Sequence, residues 1–307
     1  MISQHDTDQE RLIQNILDLK KKKNAVIVAH NYQIGDVQDV ADHVGDSFEL
    51  AKIVKNLDTN MIVFCGVRFM AESAKILSPE KQILLPEDSA LCPLAAMVSA
   101  DELRQIKKEH PDAAIVSYVN TTAEVKAVSD ITVTSSSSVR IIKNLENDEI
   151  IFVPDQNLAA YTQEQLPDKN IQAWDGFCIT HVKITEEQMS RIKEDHPDAL
   201  VAVHAECVKS VRDNADYVGS TAGILDFCRQ HDKREIIIGT EKNMCHRIRK
   251  EVPNVKLIPI EDAICQNMNK ISLMSVFEAL DKEQFEITLS PEILMAARKP
   301  LDRMVSS

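Results

Sequence analysis

Lys107–Tyr118 reads KKEHPDAAIVSY and Ile192–His204 reads IKEDHPDALVAVH. Both contain His-Pro-Asp-Ala, starting at positions 110 and 196, which lie 86 residues apart. Each tetrapeptide follows a polar stretch patterned as a helix and precedes a β-branched run, so it marks the step from helix to strand. Leu17–His30, LDLKKKKNAVIVAH, repeats the pattern without the tetrapeptide. Self-similarity at a fixed period signals repeated structural units. Three strands are therefore expected to end in His30, Tyr118 and His204.

Counting from those three residues, other features recur in register. At +17 stand Ser47, Ser135 and Thr221, each after a stretch that reads as a turn (VGDS, TVTS, VGST). At +49 stand Pro79, Pro167 and Pro253. Near +36 come second β-runs, MIVFCG, EIIFVP and EIIIGT, and at +60 to +62 come Cys92, Cys178 and Cys265. Each copy reads as strand, loop, amphipathic helix, strand, short helix, strand and a loop with a cysteine. DVQDVADHVGDSFELAKIV, for instance, carries apolar residues at helical spacing after Asp36.

Alternating strands and helices predict parallel sheets with right-handed crossovers. The expected fold class is α/β, with three parallel βαβ sandwich domains related by a pseudo-threefold axis around a central active site. The expected domains are residues 10–98, 99–184 and 185–270, with 271–307 as C-terminal helices packing back on them. QERLIQNILDL is expected to pack beside those closing helices.

The 307 residues include 44% apolar and 27% charged residues, a composition of a soluble folded chain. A net charge of −13 argues against a general grip on nucleic acid or an anionic membrane. No apolar run spans a bilayer. Seven cysteines without a CxxC pair, after the polar start MISQHDTDQE, suit neither a secreted disulfide framework nor a signal peptide. A cytoplasmic location is expected. No GxGxxG or GxxxxGK[ST] loop occurs, so the usual dinucleotide and P-loop folds lack their signature.

Equivalent loops around a threefold axis present Cys92, Cys178 and Cys265 to one point. Structural zinc sites take four ligands, often from CxxC knuckles that this chain lacks. A [4Fe–4S] cubane has threefold symmetry along a body diagonal, so three cysteines would hold three irons and leave the axial iron open as a Lewis acid. Cys65, Cys207, Cys228 and Cys245 have no registered counterparts and read as ordinary buried cysteines.

Two residues beyond each strand end lie Tyr32, Asn120 and Glu206, so the copies offer His30 with Tyr32, Tyr118 with Asn120, and His204 with Glu206. His, Glu and Tyr are able to exchange protons with a substrate. Asn, Tyr and the +17 hydroxyls are suited to carboxylate or phosphate oxygens, with help from helix N-termini. Read structurally, the same histidines would be satisfied strand-end residues and the hydroxyls would be helix caps.

AHNYQ, DVQDVADHVGDSFELA, FCGVRFMAESAKIL, SYVNTTAEVKAVSD, IIFVPDQNLAAY, GFCITH, VGSTAGIL and IGTE together resemble the quinolinate synthase family over roughly residues 10–280. The resemblance implies an iron–sulfur enzyme of NAD biosynthesis that condenses iminoaspartate with dihydroxyacetone phosphate to quinolinate, phosphate and water. It implies one [4Fe–4S] cluster per chain on Cys92 in ALCPL, Cys178 in GFCITH and Cys265 in AICQNM. It also implies that Tyr32, His204 and Glu206 move protons, and that His30, Ser47, Tyr118, Asn120, Ser135 and Thr221 bind substrate. His181 and Met268, each three residues after a cysteine, become residues on the cluster side. L-aspartate oxidase becomes a candidate transient partner. Leu91, Ala96, Ala205 and Gln266 depart from the family's usual residues, and Leu91 stands where glycine usually precedes the first cysteine. Diphthamide-synthesis enzymes share a threefold cysteine architecture but act on a protein, and a cluster protein can also be a redox sensor. HNYQ and GFCITH favour the first reading. The chain shows no DNA-binding pattern for a sensor to use.

Overall fold

A computed structural model of the chain describes residues 4–307. The first sheet contains β1 (Ala25–His30), β2 (His43–Gly45), β3 (Met61–Cys65) and β4 (Gln82–Leu84), in the order β2-β1-β3-β4. The second contains β5 (Ala114–Tyr118), β6 (Ile131–Val133), β7 (Glu149–Val153) and β8 (Asn170–Ala173), in the order β6-β5-β7-β8. The third contains β9 (Leu200–His204), β10 (Tyr217–Gly219), β11 (Glu235–Gly239) and β12 (Lys256–Pro259), in the order β10-β9-β11-β12. All pairings within the sheets are parallel. The expected α/β class with three repeated parallel units is the observed one.

β1, β5 and β9 are apolar runs buried along most of their length, as central strands of a sheet covered on both faces must be. Each sheet differs from the sequence reading by one strand. The stretches VGDS, TVTS and VGST read as turns, yet each overlaps a three-residue strand, HVG, ITV or YVG, paired His30 to Gly45, Tyr118 to Val133 and His204 to Gly219. Three residues are too short to show alternation, and the neighbouring Gly, Asp and Ser carry turn signals. In the first copy the long helical stretch is therefore divided into helices Gly35–Val40 and Ser47–Asn56.

An aspartate at +12 joins these short strands to the sheet. Asp42, Asp130 and Asp216 each accept the backbone N–H of a central-strand residue, Ile27, Ile115 and Val201, at 2.8, 2.9 and 2.8 Å. The bond satisfies an N–H that the three-residue strand is too short to reach. The +49 prolines each follow a helix C-cap of near-identical conformation, at Ser78, Leu166 and Val252. Proline at that place prevents the helix from continuing.

Helices Gln4–Lys22 and Leu273–Lys282 pack together on the first sheet, where Ile16, Val276, Ala279 and Leu280 share one core. Helix Pro291–Ser306 inserts Ala297, Leu301 and Met304 into a core shared by the first and second sheets. Full burial of a side chain such as Leu301 contributes about 1.5–3 kcal/mol. None of the described helices is long and apolar enough to cross a membrane.

Candidate active site

In sheets of this order, ligands bind beyond the carboxyl ends of the strands, where the connections part to either side. β1, β5 and β9 deliver His30, Tyr118 and His204 to that end, and the next two residues carry the chain through Tyr32, Asn120 and Glu206. All six line a single cavity, together with Ser47, Ser135 and Thr221 and with Cys92, Cys178 and Cys265. The residues selected by repeat register from three separate sheets thus meet in one place.

The cysteine loops are built alike. A backbone N–H just past the second long strand of each copy, from Arg68, Gln156 or Lys242, donates to the carbonyl two residues before the cysteine, of Ala90, Gly176 or Ala263, at 2.8–2.9 Å. Just past each cysteine the chain turns back on it, with the backbone N–H of Ala95, Val182 or Asn269 donating to the carbonyl of Cys92, Cys178 or Cys265 at 3.0–3.1 Å. Burial pushes the Cys92 thiol up to about 12, with the Cys265 charge adding to it. Burial likewise raises Cys178 and Cys265, and Cys178 also feels Glu206 and Cys92. Three cysteines of equivalent loops lining one cavity suit a metal cluster that binds them as thiolates. Leu91, half exposed, does not take a left-handed backbone conformation, so the loop presents Cys92 without the glycine. Gly176 has no such latitude: a Cβ there would lie 2.3 Å from the Pro154 carbonyl oxygen.

Behind the sulfurs lies a buried polar network. His181 Nδ1 is 2.7 Å from Glu206 Oε2 and 3.2 Å from Cys178 Sγ. Its Nε2 is 2.9 Å from Thr240 Oγ1, which is 2.6 Å from the Tyr32 hydroxyl. Tyr32, Thr240, His181 and Glu206 therefore form one continuous run. Burial opposes a charged Glu206, but His181, with Nδ1 2.7 Å away, outweighs it together with the Tyr118 hydroxyl and holds the carboxyl below the usual range. Burial raises the Tyr32 and Tyr118 phenols well above their ordinary values, and the Glu206 charge reinforces the shift. Glu206 Oε1 is buried without a hydrogen-bond partner. Such an atom is costly in a finished core, and the residue that carries it lines the cavity.

His30 and His204 are matched. Each Nδ1 faces the backbone N–H two residues on, from Tyr32 at 3.2 Å and from Glu206 at 3.3 Å. That bond makes Nδ1 an acceptor and leaves the ring proton on Nε2. Burial lowers both imidazoles to about 3, so they stay neutral near pH 7.

The +17 hydroxyls are less alike. Ser47 and Thr221 begin helices capped by Asp46 and Ser220. Ser135 lies in a turn before helix Ser138–Lys143, where Thr134 and Ser137 bond each other. Asn31 Nδ2 donates to Thr221 Oγ1 at 2.9 Å and its Oδ1 accepts from Arg247 at 2.7 Å, which ties the first copy to the third. Sequence reasoning missed Thr240, and it missed Asp155 and Glu241, whose carboxylates accept the N–H groups of Cys178 and Cys265. Asp155 and Glu241 both lie at +37, a register that Val67 breaks in the first copy.

The sequence model described as "Quinolinate synthetase A protein" matches residues 14–306. A quinolinate synthase of Caldicellulosiruptor saccharolyticus is 48% identical over 97% of this chain and 99% of its own length. One of Caldicellulosiruptor bescii is 49% identical over 96% of this chain and 98% of its own. One of Alkaliphilus metalliredigens is 45% identical over 97% and 99%. With the match extending through all three sheets and every cysteine loop, the chain belongs to the quinolinate synthase family.

Proposed function

We propose that this chain condenses iminoaspartate with dihydroxyacetone phosphate to quinolinate, phosphate and water in NAD biosynthesis. The observation that carries the proposal is the meeting of three equivalent cysteines and three strand-end pairs in one buried cavity. Cys92, Cys178 and Cys265 would hold one [4Fe–4S] cluster. When bound, such a cluster supplies a Lewis-acidic iron with an open coordination position.

The chain's own residues then have separable tasks. Glu206, with its Oε1 buried and unpaired, would exchange a proton with substrate. Tyr32, kept as a phenol, would give one, and the contacts through Thr240 and His181 would connect the two for proton return. His30 and His204 would offer Nε2–H to substrate oxygens. Ser47, Ser135, Thr221, Tyr118 and Asn120 would bind carboxylate and phosphate groups. The buried wall excludes water from an imine that water would hydrolyse. Residues 10–98, 99–184 and 185–270 would be the three domains, with 271–307 packed across them. We place the enzyme in the cytoplasm, with L-aspartate oxidase as a transient partner.

The test is an anaerobic assay of quinolinate formation from both substrates. Wild-type protein should form it, and Glu206→Gln should retain iron and sulfide while turnover is abolished. Near-normal rates in that variant would remove Glu206 from the mechanism.

A further inference from the structure

Tyr32, Asn120 and Glu206 reach the cavity on three short loops, Asn31–Gln33, Val119–Thr121 and Ala205–Cys207. Loops of this kind need an anchor if their side chains are to stay within the tolerance that catalysis demands. The same device recurs at +8 in every copy. Gln38, Lys126 and Arg212 occupy that position, on helices Gly35–Val40, Ala123–Ala127 and Lys209–Arg212, and all three are buried. Each helix follows its loop and returns the +8 side chain beneath it.

The donors meet equivalent carbonyls. Gln38 Nε2 donates to Asn31 O at 3.2 Å and Gln33 O at 2.7 Å, at +1 and +3. Lys126 Nζ donates to Val119 O at 2.8 Å and also to Thr121 O, again at +1 and +3. Arg212 Nε donates to Cys207 O at 3.1 Å, at +3. Each donor has a further hold. Gln38 Nε2 also shares a hydrogen with Asn243 O at 3.1 Å, Lys126 Nζ lies 5.4 Å over the Phe69 ring, and Arg212 pairs with Glu164 at 2.6 Å. A buried lysine and a buried arginine are rare unless their donors are used. Here they serve the backbone of the loops rather than a ligand.

We propose that Gln38, Lys126 and Arg212 are equivalent positioning residues, one per copy, that hold the loops carrying Tyr32, Asn120 and Glu206 at the cavity. An amide, an ammonium and a guanidinium perform the task because it requires only a buried donor at one place. The kinetic part of the test rests on the proposed function, since it assigns binding to Asn120 and proton transfer to Glu206.

Lys126→Gln and Lys126→Leu both remove the amine, so only the donor distinguishes them. In anaerobically purified holoenzyme, Lys126→Gln should keep KM within about threefold of wild type, as Gln38 does its work with the same group. Lys126→Leu should raise KM on the order of tenfold, the value of about one buried hydrogen bond, with a smaller fall in kcat. Arg212→Leu should show the opposite split, with kcat falling more than KM rises, and Arg212→Lys should restore kcat. Amide hydrogen exchange supplies a readout independent of turnover: Val119–Thr121 should lose protection in Lys126→Leu and keep it in Lys126→Gln. Equal kinetics and equal exchange in the two Lys126 variants would overturn the proposal. If Lys126→Leu does not fold, Lys126→Gln decides alone, with wild-type protection supporting the proposal and lost protection overturning it. Absence of quinolinate from the wild type would sink the functional reading, while the exchange data still judge the anchors.

Discussion

Thr240→Val isolates the hydrogen-bonded run behind the cysteines. The side chain is fully buried, and its hydroxyl bridges the Tyr32 hydroxyl at 2.6 Å and His181 Nε2 at 2.9 Å. Valine keeps the shape and deletes the oxygen. Tyr32 and His181 then face each other across 3.5 Å, at the limit of a useful hydrogen bond. Two lost hydrogen bonds should lower stability by about 1–3 kcal/mol, read as a fall in Tm. Acid–base assistance in enzymes is worth on the order of 10²–10⁴-fold, and a small shift could partly close the gap, so the lower end applies. The account predicts that kcat falls about 100-fold while KM stays within about threefold, and that Thr240→Ser recovers most of kcat. The assay is steady-state quinolinate formation under anaerobic conditions, with iron content matched between variants. A folded, iron-replete Thr240→Val with wild-type kcat would refute a role for this run in proton transfer.

Two further substitutions test local physics. Burial, with Glu49 beside it, raises the Asp46 carboxyl from 3.8 to about 6, while its oxygen caps a helix through Phe48 N and Glu49 N. The folded protein then binds an extra proton between those values, so this group's contribution to stability falls as pH rises through that window. Asp46→Asn keeps a cap and loses the charge, so its stability advantage should be small near pH 4 and level off above pH 6 at up to about 3 kcal/mol, followed as the pH dependence of Tm. A difference independent of pH would contradict this. Gly176→Ala places a Cβ against the Pro154 carbonyl and must move the loop before Cys178. Iron content should drop well below wild type; full iron loading with unchanged Tm would show that the loop yields freely.

What the sequence disclosed followed from what repeats preserve. His30, Tyr118 and His204 were legible because a β-branched run ends at each, and Cys92, Cys178 and Cys265 because their distances from those ends differ by no more than two residues. Thr240 was hidden by the same reasoning. Its counterparts at +36 are Gly66 and Pro154, so the hydroxyl exists in one copy only. Gln38, Lys126 and Arg212 escaped because register was sought in residue type, whereas they share only a buried donor. The three-residue strands escaped because their pairing is fixed by Asp42, Asp130 and Asp216, side chains that in sequence read as turn residues. The orientation of His181 between Cys178 and Glu206 depends on the third sheet meeting the second, and no local pattern encodes that meeting.

The central claim is that threefold repetition places three thiolates, and only those three of the seven, on one cluster. Iron and acid-labile sulfide per chain, measured on anaerobically purified and reconstituted protein, test it most directly. The account predicts about four of each in wild type and in Ala variants of Cys65, Cys207, Cys228 and Cys245, with loss in each Ala variant of Cys92, Cys178 and Cys265. A colourless protein that resists reconstitution, or a cluster that survives loss of any of those three cysteines, would contradict it.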